Sequence, residues 1–313
     1  MEVVFQLALL AFGFVLLVKG ADWFVDGASK VAERFGIPQL VIGLTIVAIG
    51  TSLPEAAVSV SAALKGSAEI TIGNVVGSNI MNILLILGVT SVIAPIAVQK
   101  STVKYELPFV ILVSALLMGI GYTDNTVGRV DGLILWALLL CYLGYLLVIA
   151  KKGGDAPEEE ADEDKPMPVW KMILLIIMGG VMIVIGSDVA VDAATALARI
   201  FGMSERLIGL TIVAFGTSLP ELVTSSTAAV KGKADIAVGN IVGSNIFNIL
   251  FVVGTSALIM PVAYAQNFFV DSIVCIATAA LLWILVVKNK RLGRAGGACL
   301  LACYAAYFIY LMR

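Results

Sequence analysis

Histidine is absent from this chain, and charged residues make up only 13% of its 313 positions. Without histidine, the usual zinc sites and the usual side chain for proton transfer near neutral pH are excluded. The net charge of −2 and the lack of a basic patch argue against a nucleic-acid partner. Only four cysteines are present, all in apolar stretches where we expect buried free thiols rather than disulfides: Cys141, Cys275, Cys299 and Cys303.

Long apolar runs dominate the rest of the sequence. Hydrophobic residues make up 60% of the chain and the mean hydropathy is +1.03. These values exclude a soluble globular domain and predict an all-α polytopic membrane protein. Apolar runs separated by helix breakers predict ten transmembrane helices, several of them long enough to be tilted or broken. Their approximate ranges are 3–31, 37–64, 69–97, 105–122, 130–150, 169–199, 204–230, 235–262, 268–288 and 293–312.

The distribution of lysine and arginine predicts the orientation of these helices. Most basic residues between the predicted spans fall in loops on one side, including the loop that contains Lys151 and Lys152. Cytoplasmic loops carry the excess of positive charge, so we expect that side to be inside and both termini to be outside. The other side carries only Lys65, Arg129, Arg199, Arg206 and Arg313.

The chain divides into two halves that repeat each other at an offset of 166 positions. Residues 1–150 and 169–313 each hold five predicted helices, and residues 151–168 form an acidic linker. We interpret the linker as a solvated cytoplasmic connection, with an acidic cation sensor as the alternative. Because five is an odd number, the second half enters the membrane from the opposite side. Such an inverted repeat is typical of alternating-access transporters, whose broken helices bind substrate near the membrane midplane.

The strongest repeated motif places a carboxylate inside a membrane span. It reads Gly43-Leu-Thr-Ile-Val-Ala-Ile-Gly-Thr-Ser-Leu-Pro-Glu55 and again Gly209-Leu-Thr-Ile-Val-Ala-Phe-Gly-Thr-Ser-Leu-Pro-Glu221. An ionisable side chain at the centre of a span costs at least about 2.5 kcal/mol, which makes it a functional-site candidate. The proline before each glutamate lacks an N–H and frees backbone carbonyls, for which a hard cation is a suitable partner. One helix face carries Ala48, Thr51, Ser52, Glu55 and Ser59, and its equivalent carries Ala214, Thr217, Ser218, Glu221 and Ser225.

A second repeated motif adds amide and hydroxyl groups. It reads Gly73-Asn-Val-Val-Gly-Ser-Asn-Ile-Met-Asn82 and Gly239-Asn-Ile-Val-Gly-Ser-Asn-Ile-Phe-Asn248. Ser78 and Asn82 share a helix face, as do Ser244 and Asn248, and we interpret all four as cation ligands because they accompany the glutamate motif. Asn74 and Asn240 fit equally well as ligands or as groups that join helices.

Together these groups predict an all-oxygen cation site. Carboxylates, hydroxyls and amide oxygens suit Na⁺ or Ca²⁺ rather than a transition metal. Two buried carboxylates repel each other, and one divalent ion or two monovalent ions cancel that repulsion. If the site closes only when its charge is compensated, one cation must be exchanged for the other, which predicts antiport.

The paired Gly-Thr-Ser-Leu-Pro-Glu and Gly-Ser-Asn-Ile-x-Asn motifs resemble the two repeats of the cation/calcium exchanger superfamily, in particular its prokaryotic sodium/calcium exchanger branch. The resemblance covers essentially all ten spans and implies an electrogenic Na⁺/Ca²⁺ antiporter of the cell's inner or plasma membrane, in which spans one and six slide across the other eight. We expect no enzymatic activity, no cofactor and no obligatory protein partner. The ion ligands that it implies are Glu55, Glu221, Thr51, Thr217, Ser52, Ser218, Ser78, Ser244, Asn82, Asn248, Ala48 and Ala214.

Alternatives remain open at this point. An H⁺/Ca²⁺ antiporter of the same superfamily is one, since a buried carboxylate binds H⁺ without further ligands. A cation channel differs by conducting without a counter-ion gradient, and an intramembrane hydrolase lacks support because no nucleophile elbow or zinc motif is present. Asn248 stands where several relatives carry Asp and where K⁺-dependent members carry an acidic residue, so we expect no K⁺ requirement.

Four aspartates lie on the two predicted sliding helices, one turn apart in each pair. They are Asp22 and Asp26 in the first half and Asp188 and Asp192 in the second. They either line the ion pathways or pair at the water interface, for instance Asp22 with Lys19.

Overall fold

A computed structural model describes residues 1–68, 70–152, 167–203, 214–266 and 268–311. The predicted all-α class is confirmed, since helices account for nearly all of the regular structure. The first half contains α1 (Glu2–Phe35), α2 (Gln39–Ile42), α3 (Ala48–Thr51), α4 (Leu53–Leu64), α5 (Ile70–Met81), α6 (Gly88–Ile93), α7 (Leu107–Asp124) and α8 (Arg129–Lys152). The second contains α9 (Val169–Ile200), α10 (Ala214–Gly216), α11 (Leu219–Val230), α12 (Ala234–Phe247), α13 (Gly254–Ile259), α14 (Phe268–Val287) and α15 (Arg294–Leu311).

Short π-helical segments continue several of these helices, and four two-residue strands connect others. The π segments are π1 (Gly43–Val47), π2 (Asn82–Leu87), π3 (Thr102–Glu106) and π4 (Asn248–Val253). The strands are β1 (Ile96–Ala97), β2 (Thr126–Val127), β3 (Val262–Ala263) and β4 (Arg291–Leu292). Two of the π segments, π2 and π4, begin at the asparagines that end the second repeated motif. Single π turns of this kind occur frequently at functional sites.

Eight helices in the described part of the chain are long and apolar enough to cross a membrane. A ninth is counted if Gln39–Thr51 and Leu53–Leu64, which meet at an angle of 49°, form one broken span. The prediction of a broken helix around Glu55 is therefore confirmed. The start of the predicted span 204–230 lies outside the described residues, and so does most of the acidic linker. The number of ten spans therefore stays a prediction.

The two longest helices, α1 and α9, form an antiparallel pair held by close glycine contacts. A Cβ built on Gly20 would lie 2.8 Å from the carbonyl oxygen of Gly179, and one built on Gly13 would lie 2.8 Å from that of Gly186. Such distances require hydrogen at the α-carbon, because small residues let helix backbones meet in a membrane. The Gly-Gly contacts therefore determine how closely α1 and α9 approach.

The helices that carry the second motif form the centre of the molecule. Nearly every residue of α12 is buried, and α5 is buried along most of its length. Apolar side chains of both, such as Ile72, Ile80 and Ile246, belong to one core cluster that also includes residues of α7, α8 and α14. Of the four free cysteines only Cys275 is buried, whereas Cys141 and Cys299 are exposed on outer helices, where an apolar side chain meets lipid rather than protein. The expectation of buried thiols was wrong for those two.

Contacts between the halves recur in equivalent pairs. Strand β1 pairs antiparallel with β4, and β2 pairs antiparallel with β3. The two non-glycine residues with positive φ in the described chain, Asn125 and Lys290, stand directly before β2 and β4. Each half thus contributes one strand to each of the two ribbons, which fixes the halves against each other.

Candidate functional site

Glu55 lies in the first turn of α4, directly after the break in the second span. Pro54 has no N–H to donate to the carbonyl of Gly50, so the helix cannot continue regularly. Ser52 adopts φ −86° and ψ 6°, between α3 and α4. The break exposes the N-terminus of a new helix to the carboxylate, an arrangement that stabilises negative charge. The side chain of Glu55 is fully buried.

Glu221 occupies the equivalent position in the second half. Helix α10 ends at Gly216, a turn of two residues follows, and α11 begins at Leu219 with Pro220 next. Ser218 has φ −95° and ψ 3°, close to the values at Ser52. The carboxylate of Glu221 is also fully buried. Two carboxylates are therefore placed by the same local break at two positions of one chain.

Hydroxyl groups connect each glutamate to the other half. The Oγ of Ser52 donates to Glu221 Oε1 at 2.9 Å, and the Oγ of Ser218 lies 3.4 Å from Glu55 Oε1. Ser244 adds a longer contact of 3.5 Å to Glu221 Oε1. The serine beside one glutamate thus holds the glutamate of the opposite half. Both broken helices meet at one site.

Four asparagines form a second set of reciprocal contacts at the centre. Asn79 Nδ2 donates to the backbone oxygen of Asn245 at 3.1 Å, and Asn245 Nδ2 donates to that of Asn79 at 3.3 Å. Asn82 Nδ2 donates to Asn245 Oδ1 at 3.0 Å, and Asn248 Nδ2 donates to Asn79 Oδ1 at 3.3 Å. The amide nitrogens of Asn82 and Asn248 are engaged, which leaves their oxygens for other partners.

Four acceptor oxygens of these residues have no donor. Within the described residues, Glu55 Oε2, Glu221 Oε2, Asn82 Oδ1 and Asn248 Oδ1 are buried without a hydrogen-bond partner. No lysine or arginine of that part of the chain forms an ion pair with either glutamate. Buried acceptors and charges are costly unless paired. The arrangement is therefore suited to binding a cation.

The other predicted ligands stand on the two broken helices and on α5 and α12. Thr51, Ser78 and Ser244 are buried, and Thr217 is half-buried at the break. Thr51 Oγ1 lies 2.9 Å from Asn240 Oδ1, so this hydroxyl is engaged in the present conformation. The carbonyl of Ala48 lies 3.5 Å from the Oγ of Ser244. Ala214 begins α10, and its side chain falls outside the described part of the structure.

Asn74 and Asn240 join helices. Asn74 Nδ2 donates to Ser59 Oγ at 2.9 Å and to the backbone oxygen of Glu55 at 3.2 Å. Asn240 Nδ2 donates to Ser225 Oγ at 2.9 Å. These contacts fasten the third and eighth predicted spans to the broken helices, as expected for groups that join helices.

Sequence reasoning missed Asn79 and Asn245. Both stand inside the second motif and recur at the offset of 166, so the signal was present. Each stands directly after the serine of its motif, off the face that the four-residue spacing defines, and only that spacing was used to predict ligands. Their side-chain oxygens accept hydrogen bonds from the predicted ligands Asn82 and Asn248.

The aspartates of α1 pair with a different lysine from the one expected. Lys231 Nζ lies 2.6 Å from Asp22 Oδ1 and 2.6 Å from Asp26 Oδ1, whereas the suggested partner Lys19 makes neither contact. Pairing outside the ion site is confirmed for Asp22 and Asp26, but their partner comes from the far end of α11. A lysine 209 positions from Asp22 and 205 from Asp26 cannot be predicted from helix spacing.

The chain is similar to several known membrane proteins. The profile of the family described as "Sodium/calcium exchanger protein" matches residues 5–148 and 171–313. The chain is 40% identical to inner membrane protein YrbG of Escherichia coli, over 97% of this chain and 96% of that protein. It is 32% identical to sodium/calcium exchanger MaX1 of Methanosarcina acetivorans, over 97% of each chain.

A solved structure of the sodium-calcium exchanger NCX_Mj superposes on the fold with a TM-score of 0.83. That protein is 35% identical, and the match covers 97% of this chain and 98% of the other. Both the sequence likeness and the structural likeness run through the two halves. The protein is thus an integral membrane transporter rather than an enzyme, and it belongs to the sodium/calcium exchanger protein family.

Proposed function

We propose that this protein is a secondary active antiporter that exchanges Na⁺ for Ca²⁺ by alternating access. One observation carries the proposal: two buried carboxylates and two buried amides each keep an oxygen to which no described residue donates. Their residues are bound to each other across the two halves by serine and asparagine side chains. Cations that enter between the halves supply the partners that these oxygens lack.

Charge explains why Ca²⁺ and Na⁺ compete for this site. Glu55 and Glu221 carry two negative charges that one Ca²⁺ neutralises and that two Na⁺ neutralise equally well. Hard cations of this kind accept carboxylate, hydroxyl and carbonyl oxygens in flexible numbers. The full ligand set that we propose adds Thr51, Thr217, the serines of both motifs and the carbonyls of Ala48 and Ala214.

A third Na⁺ makes the exchange electrogenic. Asn248 is neutral, so a third monovalent ion near the hydroxyls of Ser78 and Ser244 leaves one positive charge uncompensated. Moving that complex across the membrane transfers net charge. Because Asn248 is an amide, the site lacks the extra carboxylate that a K⁺ ion needs, and transport is expected to proceed without K⁺.

The architecture that we propose has ten membrane helices in two inverted repeats of five. Residues 1–150 and 169–313 form the repeats, the acidic linker at 151–168 lies in the cytoplasm, and both termini are outside. The reciprocal contacts between the halves support this arrangement. Helices α1 and α9 then slide as a pair across the remaining helices and open the site to one side at a time.

A proton is the alternative coupling ion. Two protons also neutralise the two carboxylates, and a protonated glutamate can donate to an amide oxygen such as that of Asn82 or Asn248. The hydroxyls of Ser52 and Ser218 favour Na⁺, because an oxygen whose hydrogen is given to a carboxylate keeps its lone pairs free for a cation.

Ca²⁺ uptake into proteoliposomes tests the proposal. Vesicles that contain the purified protein are loaded with Na⁺, K⁺ or choline at equal pH on both sides, and Ca²⁺ entry is followed with a fluorescent indicator. We expect uptake only when Na⁺ is inside, and we expect it to persist when K⁺ is omitted from both sides. Vesicles prepared without protein are the control.

Two results decide between the candidates. Uptake driven by a pH gradient at equal Na⁺, together with no response to a Na⁺ gradient, assigns H⁺ as the coupling ion and overturns the Na⁺ proposal. Ca²⁺ flux that continues with no counter-ion gradient of either kind indicates a channel.

A further inference from the structure

A cluster of charges, here called the formed latch, fastens α1 to the end of α11. It consists of Lys231, Asp22 and Asp26. The two aspartates are one helical turn apart, so one ammonium group reaches both, and it also donates to the backbone oxygen of Asp22 at 3.2 Å. Burial alone lowers the pKa of Lys231, but the hydrogen bonds that its ammonium group donates to Asp22 and Asp26 outweigh this effect and raise that pKa, so the lysine stays charged.

Apolar contacts close the same end of the α1 helix. Leu219 and Ala228 of α11 belong to one buried cluster with Phe24, Val25 and Ala28 of α1. Gly232 follows the lysine with φ 76°, a left-handed turn that ends the helix and directs the chain into α12. The formed latch therefore stands at the rim of a packed surface between α1 and α11.

The other half carries the same charges without the contact, and they are here called the latent latch. It consists of Lys65, Asp188 and Asp192, each 166 positions from its counterpart. Lys65 follows α4 as Lys231 follows α11, and Gly66 repeats the left-handed turn with φ 83°. Among the described residues none of these three forms an ion pair, and all three are exposed.

We infer that the two latches alternate: the formed latch holds the present conformation, and the latent latch closes when the transporter opens to the opposite side. The inference rests on the proposed alternating access. In an inverted repeat the second facing state is reached when the two halves exchange their conformations, so a contact made by one half is then made by its equivalent. The latches touch no ion ligand, and they act as positioning residues that set the ratio of the two states.

The repetition of the charges supports a role beyond packing. An exposed aspartate one turn from another on a membrane helix repels its neighbour and gains nothing from burial. Both halves nevertheless keep two such aspartates and one lysine after the broken helix. A contact that forms in only one of two states accounts for charges that are paired in one half and unpaired in the other.

Hydrogen–deuterium exchange of the full-length protein in detergent measures the two states directly. The variants are Lys231→Gln and Lys65→Gln, with Lys288→Gln, an exposed loop lysine outside both latches, as the matched control. Lys231→Gln is expected to speed exchange in residues 219–230 and to slow it in residues 53–64. Lys65→Gln is expected to do the reverse, with a change of about two- to fivefold in the ratio of states, as partly exposed ion pairs allow.

The double variant separates this inference from general loss of stability. Adding Lys65→Gln to Lys231→Gln is expected to return the ratio toward that of the parent, because both latches are then lost. The inference is overturned if a single variant speeds hydrogen–deuterium exchange in both helices. It is also overturned if the ratio of states in the double variant does not return toward that of the parent.

Na⁺-driven Ca²⁺ uptake by the parent is measured in parallel. If the parent does not exchange these ions but the two lysine variants still change hydrogen–deuterium exchange in opposite directions, the proposed function is contradicted and the inference about the latches is retained.

Discussion

At the scale of single residues, the carboxylates of Glu55 and Glu221 each use one oxygen for hydroxyl contacts and keep the other without a donor. Burial makes this state unfavourable unless a cation is present, since a buried charge without a partner is strongly destabilising. The two asparagines Asn82 and Asn248 repeat the pattern with neutral groups. The site thus offers two charges and at least four oxygens to its guest.

Replacing either glutamate by glutamine is expected to abolish Ca²⁺ transport without unfolding the protein. Glu55→Gln and Glu221→Gln each remove half of the charge that compensates Ca²⁺, while the amide retains the shape and an acceptor oxygen. Uptake into proteoliposomes and thermal unfolding in detergent are the measurements. Glu2→Gln, at the exposed start of α1, is the matched control and is expected to transport normally. Uptake near the parent rate by either site variant contradicts the assignment.

Asn79 and Asn245 are expected to stabilise the centre of the protein by similar amounts. Asn79→Ala removes the donor to Asn245 O and the acceptor for Asn248 Nδ2, and Asn245→Ala removes the equivalent contacts. Leaving buried groups unpaired costs about 1–3 kcal/mol, so the melting temperature should fall for both. Asn74→Ala removes contacts within one half only. Comparing its melting temperature with those of the two central variants tests whether the loss of stability comes from contacts between the halves. A fall confined to one of the two central variants argues against the reciprocal network.

At the scale of secondary-structure elements, glycine controls how α1 and α9 meet. A Cβ built on Gly179 would lie 2.6 Å from the backbone nitrogen of Phe24 and 2.7 Å from the oxygen of Gly20. Neither atom can move without shifting α1 itself. Helix α1 also packs on α11, the helix that carries Glu221. The position of α1 therefore affects one of the two broken helices.

Gly179→Ala is expected to destabilise the protein, whereas Gly119→Ala is not. The first methyl group overlaps the backbone of α1, and such overpacking costs typically about 1–3 kcal/mol. No atom of the described residues lies within 4 Å of a Cβ on Gly119 in α7, where alanine improves helix propensity. Thermal unfolding of the two variants in the same detergent gives the comparison. Equal melting temperatures contradict the close contact.

The acidic linker is expected to be dispensable for turnover. Replacing residues 155–164 by a Gly/Ser spacer of equal length preserves the reach between the halves, since such spacers behave as flexible coils. Ca²⁺ uptake should stay within a few-fold of the parent. Complete loss of uptake by a folded variant points to an acidic cation sensor in this segment.

At the scale of the whole molecule, the two halves interlock through contacts that come in equivalent pairs. The serine–glutamate contacts, the asparagine–asparagine contacts and the strand pairs each occur twice, once in each of two equivalent positions. Some contacts of the described residues have no equivalent, among them the charged latch, the contact of Thr51 with Asn240 and that of Ser244 with Glu221. A core of mostly paired contacts, with a few made in one half only, fits the two facing states that we propose.

Transport is expected to respond to membrane voltage. If three Na⁺ move for each Ca²⁺, one net positive charge crosses per cycle, and about 2.3 kcal/mol per 100 mV is added to or removed from the driving force. Uptake into Na⁺-loaded proteoliposomes, with voltage clamped by a K⁺ ionophore and pH equal on both sides, should rise when the vesicle interior is made positive, since that voltage favours Na⁺ exit. Na⁺-driven uptake that is insensitive to voltage contradicts the stoichiometry but not the coupling ion.

The sequence by itself determined the class of the protein and most of its central residues. Apolar runs, the two Pro-Glu breaks and the offset of 166 are local or periodic properties of the chain, and they predicted the spans, the broken helix at Glu55 and the carboxylates at the centre. Only the tertiary structure decided which groups meet. Ser52 contacts Glu221, Asn79 contacts Asn245 and Lys231 contacts Asp22 across separations of 166 to 209 positions. Helix periodicity constrains neighbours within a few turns, so partners at such distances follow from how whole helices pack.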